Sequence, residues 1–108
     1  MFARILDFQV KWEKKEEFVK VLKNDILPIL RKQAGFLEFL PFFPEKMTEE
    51  KTVAISFWAT KADAEKYEKE FYPKINEIVK PYLATPVAVE FYTVETALCE
   101  HFVEALAA

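Results

Sequence analysis

The chain has 108 residues, the length of one domain. Its 15 basic and 18 acidic side chains leave a net charge of -3 without a basic stripe, which argues against nucleic acid as a partner, and no apolar run reaches the roughly 18 residues of a membrane span. The amino terminus alternates polar with apolar residues and carries Asp7, unlike a secretory signal, and Cys99 stands alone, so the expectation is a cytoplasmic protein with no disulfide and no thiolate zinc cluster.

Met1 to Lys11 predicts a strand, with Phe2, Arg4, Leu6, Phe8 and Val10 on one face and Ala3, Ile5, Asp7 and Gln9 on the other. From about Lys14 to Ala34 the spacing turns helical: Phe18, Val21, Leu22, Ile26, Ile29 and Leu30 recur every three or four residues. Pro28 falls inside this pattern and predicts a kink or a new turn, and Gly35, the one glycine, sits where a helix ends in left-handed backbone. Phe36 to Phe43 is a second strand, placed at a sheet edge by Pro41, and the charged stretch Pro44 to Lys51 connects it onward. Thr52 to Ala59 is a third strand of central character. Thr60 then offers an N-cap, with Asp63 as its capping-box partner, to a helix carrying Ala64, Tyr67 and Phe71. Pro73 and Pro81 divide the next stretch into short pieces around Ile75, Ile78 and Val79. Thr85 to Glu95 is the fourth strand, again marked as an edge by Pro86, and Leu98, Phe102, Ala105 and Leu106 predict a short amphipathic tail helix over 96–108.

This order folds with right-handed crossovers into an α+β, ferredoxin-like βαββαβ sandwich whose antiparallel sheet has its second and fourth strands at the edges. The whole of 1–108 reads as one such domain. Hydrophobic residues make up 52% of the chain and eleven are Phe, more aromatic area than a lone domain of this size hides, which points to a subunit interface or a ligand pocket. The apolar rows Leu6, Phe8, Val10; Val53, Ile55, Phe57; and Val87, Val89, Phe91 are the expected floor beneath the helices. The opposite rows (Ala3, Ile5, Asp7, Gln9; Ala54, Ser56, Trp58; Ala88, Glu90, Tyr92) mix small, aromatic and polar side chains, as the wall of a small-molecule cavity does once a second subunit covers it.

The strand order, the helix ending in Gln33-Ala34-Gly35-Phe36, the strand end Phe57-Trp58-Ala59-Thr60 and the helix Lys61 to Tyr67 resemble the antibiotic biosynthesis monooxygenase group of dimeric α+β barrels over roughly Met1 to Glu95. The resemblance implies a homodimer closed sheet against sheet, with a pocket between each subunit's own sheet and helices. That is the other side of the sheet from the one the mixed rows suggest, and both placements stay open. It implies cofactor-free oxygenation of a small aromatic or polyphenolic compound, with the substrate supplying the electrons. A heme-degrading branch of the group uses an asparagine in the middle of the first strand and a histidine on the second helix. Here Asp7 stands near the first position and no histidine occurs from Thr60 to Leu83, so no cofactor is expected.

By this likeness Trp58 lines the pocket, Tyr67 and Tyr72 bind substrate, and Phe39 joins that binding set. Asp7 pairs with Trp58 as the catalytic candidate, a general base taking a phenolic proton, with a pKa raised by burial. The plainer reading of Asp7 is a carboxylate paired with a lysine or arginine at the barrel rim. Tyr92, like Tyr67, has the chemistry to orient a substrate hydroxyl, although packing alone accounts for such tyrosines. His101 and Cys99 are two apart and cannot share a helix face, and with Glu104 they are too sparse for a metal. Two other readings stand beside the enzyme: a non-catalytic ligand-binding or stress-related barrel, and a structural module whose interior is filled.

Overall fold

The computed structural model describes residues 1–46 and 51–95. Its strands are β1 (Phe2–Phe8), β2 (Phe36–Phe42), β3 (Thr52–Trp58) and β4 (Ala88–Thr93), joined in one antiparallel sheet of order β2-β3-β1-β4. The two proline-marked strands are the edges, as expected, and β2 carries an irregularity between Phe36 and Glu38. β1 and β4 are shorter than the alternating patterns suggested. The chain beyond β1 leaves the ladder to hold the segment before β4: Gln9 N–H donates to Thr85 Oγ1 at 2.9 Å, and Lys11 N–H donates to the Tyr82 carbonyl at 2.9 Å. The expected tail helix, with Cys99 and His101, lies outside the described residues.

Between β1 and β2 the expected helix is divided into α1 (Lys15–Val21), a wide turn of π type over Leu22–Ile26, and α2 (Leu27–Arg31). Pro28 explains the division. It has no N–H to give the carbonyl of Asn24, and the turn before it widens so that Leu27 N–H reaches Leu22 instead. After β3 come α3 (Lys61–Glu70) and α4 (Tyr72–Val79), with Pro73 in the first turn of α4, where a missing N–H costs nothing. Thr60 caps α3 as predicted, its Oγ1 accepting from Asp63 N–H at 3.1 Å.

The helices cover one face of the sheet, and the register decides which residues lie there. Residues directly opposite in an antiparallel ladder share a face. Phe2 pairs with Trp58, Arg4 with Ser56 and Phe91, and Leu6 with Ala54 and Val89. The covered rows are therefore Phe2, Arg4, Leu6, Phe8; Ala54, Ser56, Trp58; and Val89, Phe91. For β1 and β4 this is the expected floor. For β3 it is a correction: Val53 and Ile55 face away from the helices, and the row with small residues faces them. Small side chains under the helices leave room that Val and Ile would fill, so the row that looked like a cavity wall is one, on the opposite side of the sheet.

Gly35 has φ +77°, the left-handed backbone anticipated for it, and a Cβ placed there would overlap the side chain of Asp63. Gly35→Ala therefore combines backbone strain with loss of the α3 cap, and should lower stability by roughly 2–3 kcal/mol in urea unfolding.

Candidate functional site

The gap left by Ala54 and Ser56 is a cavity of about 40 Å³ between the covered sheet face and the helices. Its floor is Leu6, Phe8, Ala54 and Ser56; Phe18, Leu22, Ile26 and Leu30 roof it; Tyr67, Tyr72, Ile75 and Val79 form the wall under α3 and α4. The π turn before Pro28 carries Leu22 and Ile26 to the roof. A water needs roughly 10–15 Å³ by this measure, so the closed cavity has room for a few waters. Phe39, Leu83 and Val87 complete the lining, and like Leu6, Leu22 and Tyr72 they are half-buried and also reach solvent.

Into this apolar space β1 brings one charge. Arg4 is 1% exposed. Its Nη2 donates to Glu68 Oε2 of α3, and its guanidinium carbon lies 4.9 Å from the Tyr67 ring centre and 4.6 Å from that of Tyr72. Its Nε is buried without an acceptor. A guanidinium in such surroundings needs a counter-charge, which Glu68 supplies, and cation–π contact, which the tyrosines supply. Burial pushes the Tyr67 hydroxyl above the ordinary phenol range, opposed by the charge of Arg4, and does the same more weakly at half-buried Tyr72. Both hydroxyls thus stay protonated at neutral pH, as hydrogen-bond donors.

Of the residues singled out in the sequence, Tyr67, Tyr72 and Phe39 line this cavity. Trp58 does not reach it. It is fully buried behind Tyr67, stacked on that ring at 4.8 Å, edge-on to Phe36 at 5.6 Å, with its indole N–H donating to Ser56 Oγ at 2.9 Å. It holds the wall from behind. Asp7 lies on the other face of the sheet, its side chain 42% exposed and 3.3 Å from Lys51 Nζ, so the two proposed catalytic residues do not meet within a protomer. Tyr92 is on that outer face too, exposed and bonded to Glu90. Sequence reasoning passed over Arg4, Ser56 and Glu68. The available signal was a single arginine within an otherwise apolar strand row, which requires a partner wherever that row is covered.

Among the described residues no group of three or more His, Cys, Asp or Glu side chains is placed to hold a metal, and no helix is long and apolar enough to cross a membrane.

The family model for antibiotic biosynthesis monooxygenases matches residues 1–72. No curated protein matches the chain by sequence. Among solved structures, the chain is similar to a monooxygenase from the gene ActVA-Orf6 of Streptomyces coelicolor in complex with nanaomycin D, at TM-score 0.70 and 16% identity over 87% of each chain. It is similar to a variant of SnoaB, a cofactor-independent oxygenase of Streptomyces nogalater, at TM-score 0.68 and 15% identity over 87% of this chain and 92% of that one. A conserved protein of Methanosarcina mazei aligns at TM-score 0.66 and 20% identity over 88% and 94%. At these identities the likeness establishes the shared fold.

The raised Tyr67 pKa has a consequence for stability. Below pH 10 the hydroxyl is protonated in both folded and unfolded chains and contributes no pH dependence. Above it the unfolded chain ionises first, so stability falls as pH rises, by up to about 1.4 kcal/mol per unit for one such group. Urea unfolding between pH 9 and 11 should show that decline, and Tyr67→Phe should lessen it, Tyr72 supplying part of what remains.

Proposed function

This chain belongs to the antibiotic biosynthesis monooxygenase family, and from that premise and its cavity we propose a monooxygenase-like oxidoreductase that acts on a small phenolic compound bound under the helices. The observation that carries the reading is Arg4, the one cation among the described residues that line the cavity, flanked there by the rings of two tyrosines whose hydroxyls stay protonated. In low dielectric a guanidinium stabilises an oxyanion far more than water does, so a phenol or enol entering this space gives up its proton more readily. The proton leaves to water at the mouth, and the oxyanion remains on Arg4 with Tyr67 and Tyr72 as further donors.

The oxidation then draws on the substrate's own electrons. The electron-rich carbon conjugated with the oxyanion passes one electron to dioxygen, and the radical pair combines as a peroxide anion on that carbon, which takes a proton back from water to become the hydroperoxide. Loss of water from the hydroperoxide leaves a carbonyl. A ring methylene and O₂ become C=O and H₂O, both hydrogens and all four electrons coming from the substrate, so the route calls for no bound cofactor. The apolar roof admits O₂ and keeps bulk water from the intermediate. Phe39 lines the cavity from β2, Trp58 braces Tyr67, and Asp7, on the far face, has no part within its own protomer's cavity. ActVA-Orf6 holding nanaomycin D, and SnoaB as a cofactor-independent oxygenase, favour this chemistry on this fold.

The outward sheet face completes the reading. Ile5 pairs with Ile55, beside Val53, and presents half-buried aliphatic side chains along two central strands. We place a second copy of the chain against it, face to face.

Oxygen-electrode assays with a hydroxyanthrone should show uptake that forms the quinone one-for-one with O₂. Arg4→Lys should lower kcat/KM by roughly 10–100-fold, because an ammonium lacks the guanidinium's planar fork, and Tyr67→Phe by about tenfold. Quenching by the same compound without oxygen uptake would leave a ligand-binding barrel and end the enzymatic reading. In sedimentation equilibrium the protein should run as a dimer at micromolar concentration, and Ile55→Lys should shift it to the monomer.

A further inference from the structure

The guanidinium of Arg4 is only half used. Its Nε–H and one Nη2–H lie parallel along one edge, at the spacing of the two oxygens of a carboxylate. Nη2 donates to Glu68 Oε2, and Nε is buried with no acceptor. An unpartnered buried donor carries its full desolvation cost, a penalty a second oxygen would relieve. The two partners also differ in their ties to this position. The Arg4 side chain is 2% exposed and cannot be rehydrated without unpacking the core; the Glu68 side chain is 30% exposed and can swing to water from the surface of α3.

A surface groove shares three lining residues with the cavity. Tyr72, which touches the guanidinium, borders this groove of about 490 Å³ between α4 and the segment before β4, and Leu83 and Val87 likewise line both spaces. The groove is far larger than the inner cavity and has room for an aromatic ring system. Its exposed Lys80 sets a positive charge there, while Asn76 adds an amide. A cation in the groove and a cation in the apolar cavity select one charge type.

We propose that Arg4 is a carboxylate receptor held half-filled by Glu68, and that the ligand is an aromatic compound bearing a carboxylate, which enters by the groove behind Tyr72, takes both N–H groups of the Arg4 edge and releases Glu68 to solvent. The proposal rests on the cavity being the ligand site, as in the function given above, and it adds the substrate's acidic group and its internal competitor. Glu68 then sets specificity: an aromatic that carries no anion and forms none in the cavity has nothing to offer in exchange for the ion pair and leaves it in place.

The test is equilibrium binding by titration calorimetry, which needs no turnover, with 2-naphthoate and its neutral isostere 2-naphthamide. The wild-type protein should bind the acid at least about tenfold more tightly than the amide. Glu68→Gln should tighten the acid by roughly fivefold and leave the amide unchanged, since an amide side chain competes poorly for the guanidinium. Arg4→Lys should remove most of the preference. Glu65→Gln, the same change of charge one turn away on α3 where Glu65 pairs with Lys61, should leave both affinities within about twofold. Equal affinity for acid and amide, binding of neither, weakening of the acid by Glu68→Gln, or equal tightening by Glu65→Gln would each overturn the proposal. Discrimination without oxygen uptake would remove the oxygenase reading and keep this one; oxygen uptake without discrimination would do the reverse.

Discussion

One buried charge organises the helix-side half of this protein. Arg4 sits in the middle of a central strand, on the face the helices cover, where an isolated cation would cost several kcal/mol. That placement demands an anion within reach and polarisable surfaces around the rest of the guanidinium. α3 meets both demands from adjacent positions, Tyr67 offering its ring and Glu68 its carboxylate, and Tyr72 at the start of α4 adds a second ring. The docking of α3 and α4 on the sheet is thus tied to one side chain of β1, and the same side chain gives the cavity its chemical character.

The cavity itself is a consequence of side-chain volume. β3 turns Ala54 and Ser56 toward the helices and Val53 and Ile55 away from them. Close packing leaves no slack elsewhere, so two short side chains under a helical roof appear as unfilled space instead of being absorbed by small shifts. The roof contributes as well. Pro28 removes one backbone donor, the preceding turn widens, and Leu22 and Ile26 of that turn hang over the gap. Trp58 then backs the wall, bonded to the hydroxyl of Ser56 and stacked on Tyr67, so the small residue in the floor and the large one behind the wall are linked.

Much of the fold was legible because it rests on backbone rules. Proline without an N–H marked both edge strands, glycine marked the one positive φ among the described residues, and a threonine with an aspartate three residues on marked the start of α3. The site was less legible, for a reason that β3 makes plain. Alternation separates a strand into two rows but does not say which row faces in, and hydrophobicity breaks the tie wrongly when the outward row is aliphatic too. Val53, Ile55 and Phe57 looked like core beside Ala54, Ser56 and Trp58, and only the pairing of Leu6 with Ala54 settles their direction. The same error carried Asp7 into the candidate site, since it shared a face with Trp58 only while the β3 rows were exchanged. Tyr67 and Tyr72 do line the cavity, because their places depend on helices whose inward faces are read from a wider stripe of residues.

A buried ion pair is poor evidence for stability, since well-packed apolar side chains of similar volume commonly do as well or better in its place. At position 4 the pair is also incomplete: Nε has no acceptor, and the Glu68 carboxylate is partly in water. A methionine in that row would pack against Tyr67, Tyr72 and Phe91 and leave no donor unmet. The features that make Arg4 a weak structural element are those of a good binding element: a fixed, desolvated donor, a partly exposed counter-ion and a surface groove that shares Tyr72, Leu83 and Val87 with the cavity. Stability alone gives no reason for a charge here, whereas recognition of an anion gives one for each of its neighbours.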